Sequence, residues 1–150
     1  MALRPSMLDD LGIVSALGWF TREFQKNYSC VEVTCEIDVD EQEIPNQVKI
    51  PIFRICQEAF NNAAKHSQAN HIKLSLSKLA SFLRLEIQDN GVGVGAEVLD
   101  AKEGRRRGLG LLSMEERASL SGGFFTIRSG HEKGTTIRVS WPLSSIPTGS

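Results

Sequence analysis

A chain of 150 residues has room for one domain with a sizeable core, and not comfortably for two. Seventeen basic against eighteen acidic residues, a formal net charge of −1, argue against bulk polyanion binding and hence against a nucleic-acid partner; only Arg105-Arg106-Arg107 forms a basic cluster. No apolar run approaches the roughly 18 residues needed to cross a bilayer, and no secretory leader pattern opens the chain, so no membrane contact is expected. Cys30, Cys35 and Cys56 are odd in number, without CxxC spacing or nearby histidines, and read as reduced thiols of a cytoplasmic protein.

In chain order, Ser6 followed by Asp9 predicts a capped helix start, with Pro5 ahead of it. Leu8, Leu11, Val14, Leu17, Phe20 and Phe24 then recur at spacings of three and four, an amphipathic helix packing one face. Gly12 and Gly18 weaken it, so its stability must come from docking. Val31, Val33, Cys35, Ile37 and Val39 alternate with polar residues as in a half-buried strand, and Glu41–Pro45 is polar punctuation. Pro51 is expected to open or kink the next helix, whose apolar stripe is Ile52, Ile55, Cys56, Ala59, Phe60 and Ala63. A second line, Arg54, Glu58, Asn62 and His66, runs along one flank at i+4 steps, with Lys65 beside it. Such a line is commonly a solvated face; Asn61-Asn62 in mid-helix, a poor choice for helix formation, argues for a site instead.

Ile72, Leu74 and Leu76 mark a strand, and Leu79–Ser81 turns the chain into a second, Ser81–Asp89. In that second strand Leu83, Leu85, Ile87 and Asp89 share a parity, which carries a carboxylate onto the apolar face at the strand's end. Leaving it there without a partner is costly. Asp89-Asn90-Gly91-Val92-Gly93 is therefore either a turn with a capping Asp or the floor of a pocket that accepts a hydrogen bond from an exocyclic amine such as that of adenine. Gly95–Gly108, with three arginines and no periodicity, reads as a flexible loop closing over something. The helix Leu109–Leu120 starts at Gly108-Leu109-Gly110, and such a start favours phosphate. Phe125 and Ile127 belong to a further strand, and Thr135, Ile137, Val139 and Trp141 share a face of the last one. Asn62 offers a neutral oxygen for a hard cation such as Mg²⁺. Gly91-Val92-Gly93 lacks the third glycine of a dinucleotide fingerprint, and no phosphate-loop GxxxxGK[ST] occurs. The element order predicts an α+β, two-layer α/β sandwich: a mixed, mostly antiparallel sheet with helices on one face.

Four stretches carry a resemblance. Glu58-Ala59-Phe60-Asn61-Asn62-Ala63-Ala64-Lys65-His66 resembles the N box of sensor histidine kinases. Asp89–Gly93 and Gly108-Leu109-Gly110-Leu111 resemble their two glycine boxes, and Gly134-Thr135-Thr136-Ile137 their closing Gly-Thr motif, all in the family's order and spacing. Arg4-Pro5 with Leu8–Gly12, and Met114–Ala118, further resemble the nitrate-sensor and lipid-desaturase-regulator subfamily.

The resemblance covers about residues 3–143 and implies the Bergerat-type ATP-binding fold of the gyrase, chaperone, histidine-kinase and mismatch-repair ATPases. It implies that Asp89 recognises the adenine amine, directly and with a water held by Thr135. It further implies that Asn62 binds Mg²⁺, that Lys65 or His66 approaches the phosphates, and that Gly91, Gly93, Gly108, Leu109, Gly110 and Leu111 line the ATP site, with Gly95–Gly110 as its lid. Glu58 is then the base for the attacking histidine, Lys65 is counted with it as catalytic, and ATP and Mg²⁺ are the cofactors. His66, His71 and His131 all lack the context of a phosphoacceptor. The expected organisation is thus a catalytic domain over 1–143, whose residues 1–27 include the helix following an absent dimerisation domain, and a frayed tail over 144–150. Expected partners are the histidine-bearing dimerisation domain and a downstream response regulator, the isolated domain being a monomer. The alternatives are an ATP hydrolase of the same superfamily and a non-catalytic nucleotide-responsive module. Pro51 stands where the family has an uninterrupted helix, and Ser121 before Gly122-Gly123 departs mildly, with no consequence expected.

Overall fold

Period-two alternation builds the middle of the molecule. In the computed structural model, which describes residues 8, 10–65, 68–91, 110–130 and 134–143, the elements are α1 (Ile13–Asn27), β1 (Glu32–Asp38), a 3₁₀ turn (Glu41–Glu43), α2 (Asn46–Lys65), β2 (His71–Leu79), β3 (Phe82–Asp89), α3 (Leu111–Leu120), β4 (Phe124–Gly130) and β5 (Gly134–Pro142). The five strands form one sheet in the order β1-β2-β3-β5-β4. β1 and β2 are parallel, which requires the crossover that α2 supplies. The other three pairings are antiparallel. This is the expected mixed, mostly antiparallel sheet.

The two sheet faces differ as the parity predicts. Ile72, Leu74, Leu76, Leu83, Leu85, Ile87, Ile137, Val139 and Trp141 are buried on one face. The other carries cross-strand ion pairs, Lys73 with Glu36 at 3.1 Å and Arg138 with Glu86 at 2.6 Å. Helices cover the apolar face, and their aromatic residues meet edge to face: Phe20 lies 5.6 Å from Phe53 and 5.2 Å from Phe60 between ring centres.

Two expectations about the helices need correction. The first helix does not continue smoothly from Leu8 to Phe24: Gly12 takes φ 82° and interrupts it. The stripe changes phase there, so Ile13 and Ala16 are buried while Leu11 is 48% exposed. Residues 1–7 and Asp9, including the Ser6 cap and Pro5, lie outside the described residues. The first N–H groups of α1 are capped by Glu41, whose carboxylate accepts from Ile13 N at 3.0 Å and Val14 N at 2.9 Å. Lys49 Nζ pairs with the same carboxylate at 2.8 Å.

Pro51 does not open the second helix; α2 begins five residues earlier, at Asn46, and carries Pro51 inside it. Val48 is fully buried in its first turns, and Lys49 is tied to Glu41. Burial and this ion pair outweigh the one backbone donor that proline lacks. The polar stretch Glu41–Pro45 therefore does more than punctuate.

Candidate functional site

The site is built where β3 and β5 end. Asp89 is in register with Thr135, and Thr135 is buried despite its hydroxyl. Inward parity thus puts the two polar residues side by side on the helix-covered face, as the alternation predicts. Asp89 Oδ1 accepts from Gly91 N at 2.8 Å. The turn-capping reading of Asp89 is realised, and the same bond fixes the orientation of the carboxylate. Gly134 has φ 75°, and a Cβ there would collide with the Asp89 carbonyl oxygen. Only glycine lets β5 start this close to the end of β3.

Asn90, read from the sequence only as part of the turn, and Ser129, not singled out there, complete this end. Asn90 Oδ1 accepts from Asn70 N and His71 N, each at 3.0 Å, and its Nδ2 donates to Asn70 Oδ1 at 2.5 Å. It latches the start of β2 to the end of β3. Ser129 Oγ lies 3.1 Å from Thr135 Oγ1, giving the buried threonine a partner. Asparagine after a strand end was a visible signal, but its partners lie twenty residues away. His71 serves the sheet, its Nε2 standing 2.9 Å from Thr34 Oγ1.

The second wall comes from α2, which packs against β3, α1 and α3. Glu58 and Asn62, one helical turn apart, are half-buried, and Lys65 ends the helix exposed. On the core side Cys56 is fully buried, and burial, with Cys35 nearby, pushes its thiol well above the ordinary range. It is a packing group.

The third wall is the start of α3. Gly110 takes the left-handed conformation, φ 64°, and its carbonyl accepts the first helical bond, from Met114 N at 3.0 Å. A Cβ on Gly110 would collide with Glu58 Oε2, so the Glu58 carboxylate rests directly against this glycine. Leu111 is buried; what it offers a ligand is its backbone N–H at the helix start. The structure thus brings Asp89 and Thr135 together at one place, and Glu58 and Gly110 at another across α2. His66, Gly93, Gly108, Leu109, His131, the three arginines and the rest of the expected lid up to Leu109 lie outside the described residues. Among the described residues no three His, Cys, Asp or Glu side chains gather as a metal cage, and no helix is long and apolar enough to cross a membrane.

A mixed sheet with helices on one face, a carboxylate at a strand end and a glycine-capped helix start beside an Asn-bearing helix define a nucleotide-binding α/β sandwich. The family model for histidine kinase-, DNA gyrase B-, and HSP90-like ATPases matches residues 47–145, and the chain belongs to that family. Among curated proteins it is 36% identical over 143 residues to the signal transduction histidine-protein kinase/phosphatase DegS of Bacillus subtilis, covering 94% of this chain and 37% of DegS. It is 33% identical over 142 residues to the oxygen sensor histidine kinase NreB of Staphylococcus carnosus, covering 95% of this chain and 40% of NreB. The chain therefore spans well under half the length of these relatives. Among solved structures, the histidine kinase domain of the Erythrobacter litoralis EL346 blue-light activated histidine kinase shares the fold, with a TM-score of 0.71 at 20% identity over 88% of this chain and 61% of that one.

Proposed function

We propose that this chain is the ATP-binding catalytic domain of a sensor histidine kinase, passing the γ-phosphoryl group of ATP to a histidine on a separate dimerisation domain. The observation that carries the reading is the arrangement of its polar groups: an Asp89–Thr135 pair at the sheet end, and Glu58 against the glycine that starts α3, with Asn62 on the helix between. In this reading Asp89 accepts from the adenine amine, with Thr135 holding a water beside it. The orphan N–H groups from Gly110 and Leu111 onward face the phosphates. Gly91 lets the backbone approach the base. The same reading gives Gly93, Gly108, Leu109 and His66 to the nucleotide and makes Lys65 a phosphate contact. Residues 1–143 form the catalytic unit.

Mg²⁺ fits this donor set. A neutral Asn62 oxygen with phosphate oxygens suits a cation that keeps several waters and needs no all-protein cage. When bound, it neutralises phosphate charge. The chain's own work is positioning and proton transfer: Glu58 takes the proton of the attacking imidazole. The spacing Glu58-x3-Asn62, which an ATPase would use to activate water, keeps hydrolysis as the second reading. The reading places the domain in the cytoplasm, as a monomer, upstream of a response regulator. Incubation with labelled ATP and a separately purified acceptor-domain dimer decides. Label on the dimer supports the kinase; free phosphate supports a hydrolase; binding of ATP without either supports a nucleotide-responsive module.

A further inference from the structure

We infer that the polar cleft between α1 and α2 receives the partner segment carrying the phosphoacceptor, and that Arg54 recognises an acidic side chain on that segment. This rests on the kinase reading above. The cleft has a volume of about 510 Å³, with Phe20 as its apolar floor and Tyr28, Arg54, Gln57, Glu58 and Asn61 around it. That is room for a few inserted side chains, so the partner's backbone stays outside.

Two of the lining residues are charged, and they do not neutralise each other. Arg54 and Glu58 stand at i,i+4, a spacing that allows a helical ion pair. Arg54 instead donates through Nη1 to the neutral Gln57 Oε1 at 2.9 Å and has no carboxylate partner among the described residues. Glu58 leans to Gly110. A guanidinium that no carboxylate of its own chain holds favours one from a partner, which it can grip through two parallel N–H groups. The occupant is therefore acidic near its point of insertion.

Glu58 also sets the direction of approach. Glu58 lines the cleft, and its carboxylate rests against Gly110, at the helix start assigned to the phosphates. A nucleophile entering by the cleft meets its base at the boundary of the phosphate site. The step then balances. One imidazole nitrogen attacks the γ-phosphorus with its lone pair, the bond from phosphorus to the bridging oxygen breaks with its electrons on ADP, and the proton on the other nitrogen passes to Glu58. Arg54 is a positioning residue in this scheme, acting through the segment it holds.

The test uses this chain and the acceptor-domain dimer of the parent kinase, with binding read by calorimetry in the presence of a non-hydrolysable ATP analogue and transfer read separately with γ-labelled ATP. Arg54→Glu is expected to weaken dimer binding by about tenfold or more, raising the KM for the dimer, while kcat and analogue affinity stay within about twofold. Replacing the matching acidic residue of the dimer with lysine restores binding to Arg54→Glu. Lys73→Glu, on the far face of the sheet, changes neither quantity. Should Arg54→Glu fail to fold by circular dichroism, Arg54→Gln gives the same comparison. Wild-type binding and transfer by the variant overturn the inference and leave the kinase reading standing. Loss of analogue affinity also overturns it, since Arg54 then serves the nucleotide. A wild-type chain that holds the analogue yet neither binds nor labels the dimer overturns both.

Discussion

Replacing Glu41 tests whether a side chain 28 residues away in sequence starts the first helix. Its carboxylate takes two N–H donors that no residue of α1 satisfies, and it pairs with Lys49. Losing a helix cap costs about 0.5–2 kcal/mol, of which the charge at the helix N-terminus accounts for about 0.3–1 kcal/mol. The Glu41 side chain is 32% exposed, so the Lys49 pair adds only about 0.5 kcal/mol. Glu41→Gln keeps one accepting oxygen and is expected to cost about 1 kcal/mol; Glu41→Ala keeps none and is expected to cost about 2 kcal/mol. In a domain of this size each kcal/mol moves Tm by roughly 2–4 °C.

The pH dependence separates the charge from the hydrogen bonds. Burial opposes ionisation of Glu41, but the hydrogen bond from Lys49 and those from Val14 and Ile13, with the Lys49 charge, outweigh it and hold the carboxyl below its ordinary 4.5. A lowered folded-state pKa means stabilisation that is complete above the unfolded value and fades as pH falls through the folded one. The difference between wild type and Glu41→Gln should be full at neutral pH and shrink in acid below about pH 4. Urea titrations followed by fluorescence of the buried Trp141 and by far-UV dichroism measure it. Equal stability of the two at neutral pH, or a difference that persists unchanged into acid, would refute the capping argument.

Asp89→Asn should keep the fold, because an amide oxygen still accepts from Gly91 N, while ATP affinity drops about 10- to 100-fold with the loss of a charged acceptor. Calorimetric titration showing wild-type affinity would remove Asp89 from the adenine. Ser121→Ala strips the buried Trp141 Nε1 of its acceptor at 2.9 Å and should cost about 1–3 kcal/mol in a urea titration; no measurable cost would mean that the indole is satisfied otherwise. Ala80 holds φ 53° in the β2–β3 hairpin, so Ala80→Gly should raise stability by about 0.5–1 kcal/mol, and a fall would contradict the strain argument.

Local periodicity is what the sequence displayed most clearly. Alternation in β3 and β5 placed Asp89 and Thr135 on the inward face, and pairing made them neighbours. Stripe spacing likewise identified Ile52, Ile55, Cys56, Ala59, Phe60 and Ala63 as the core side of α2. What stayed hidden depends on partners far along the chain. Glu41 read as polar punctuation, although α1 rests beside it and takes its carboxylate as a cap. Pro51 looked like a boundary because a local rule takes no account of Val48 in the core. Ser121 looked inconsequential, yet its hydroxyl accepts from Trp141 and donates to Arg117 O at 2.7 Å. The contact of Glu58 with Gly110 is of the same kind, since a missing side chain leaves no pattern to read.

Gly123 and Trp141 constrain how this sequence can diverge. A methyl group at position 123 would stand 2.7 Å from the indole nitrogen of Trp141, so the glycine cannot be replaced first. Trp141 is fully buried, and shrinking it first leaves a void worth about 3–5 kcal/mol. Each single step is blocked by the residue that has not yet changed. A lineage carrying this pair can leave it only by changing both positions together or by first accumulating stability elsewhere, so the α3–β4 corner should drift more slowly than its place outside the nucleotide site would suggest.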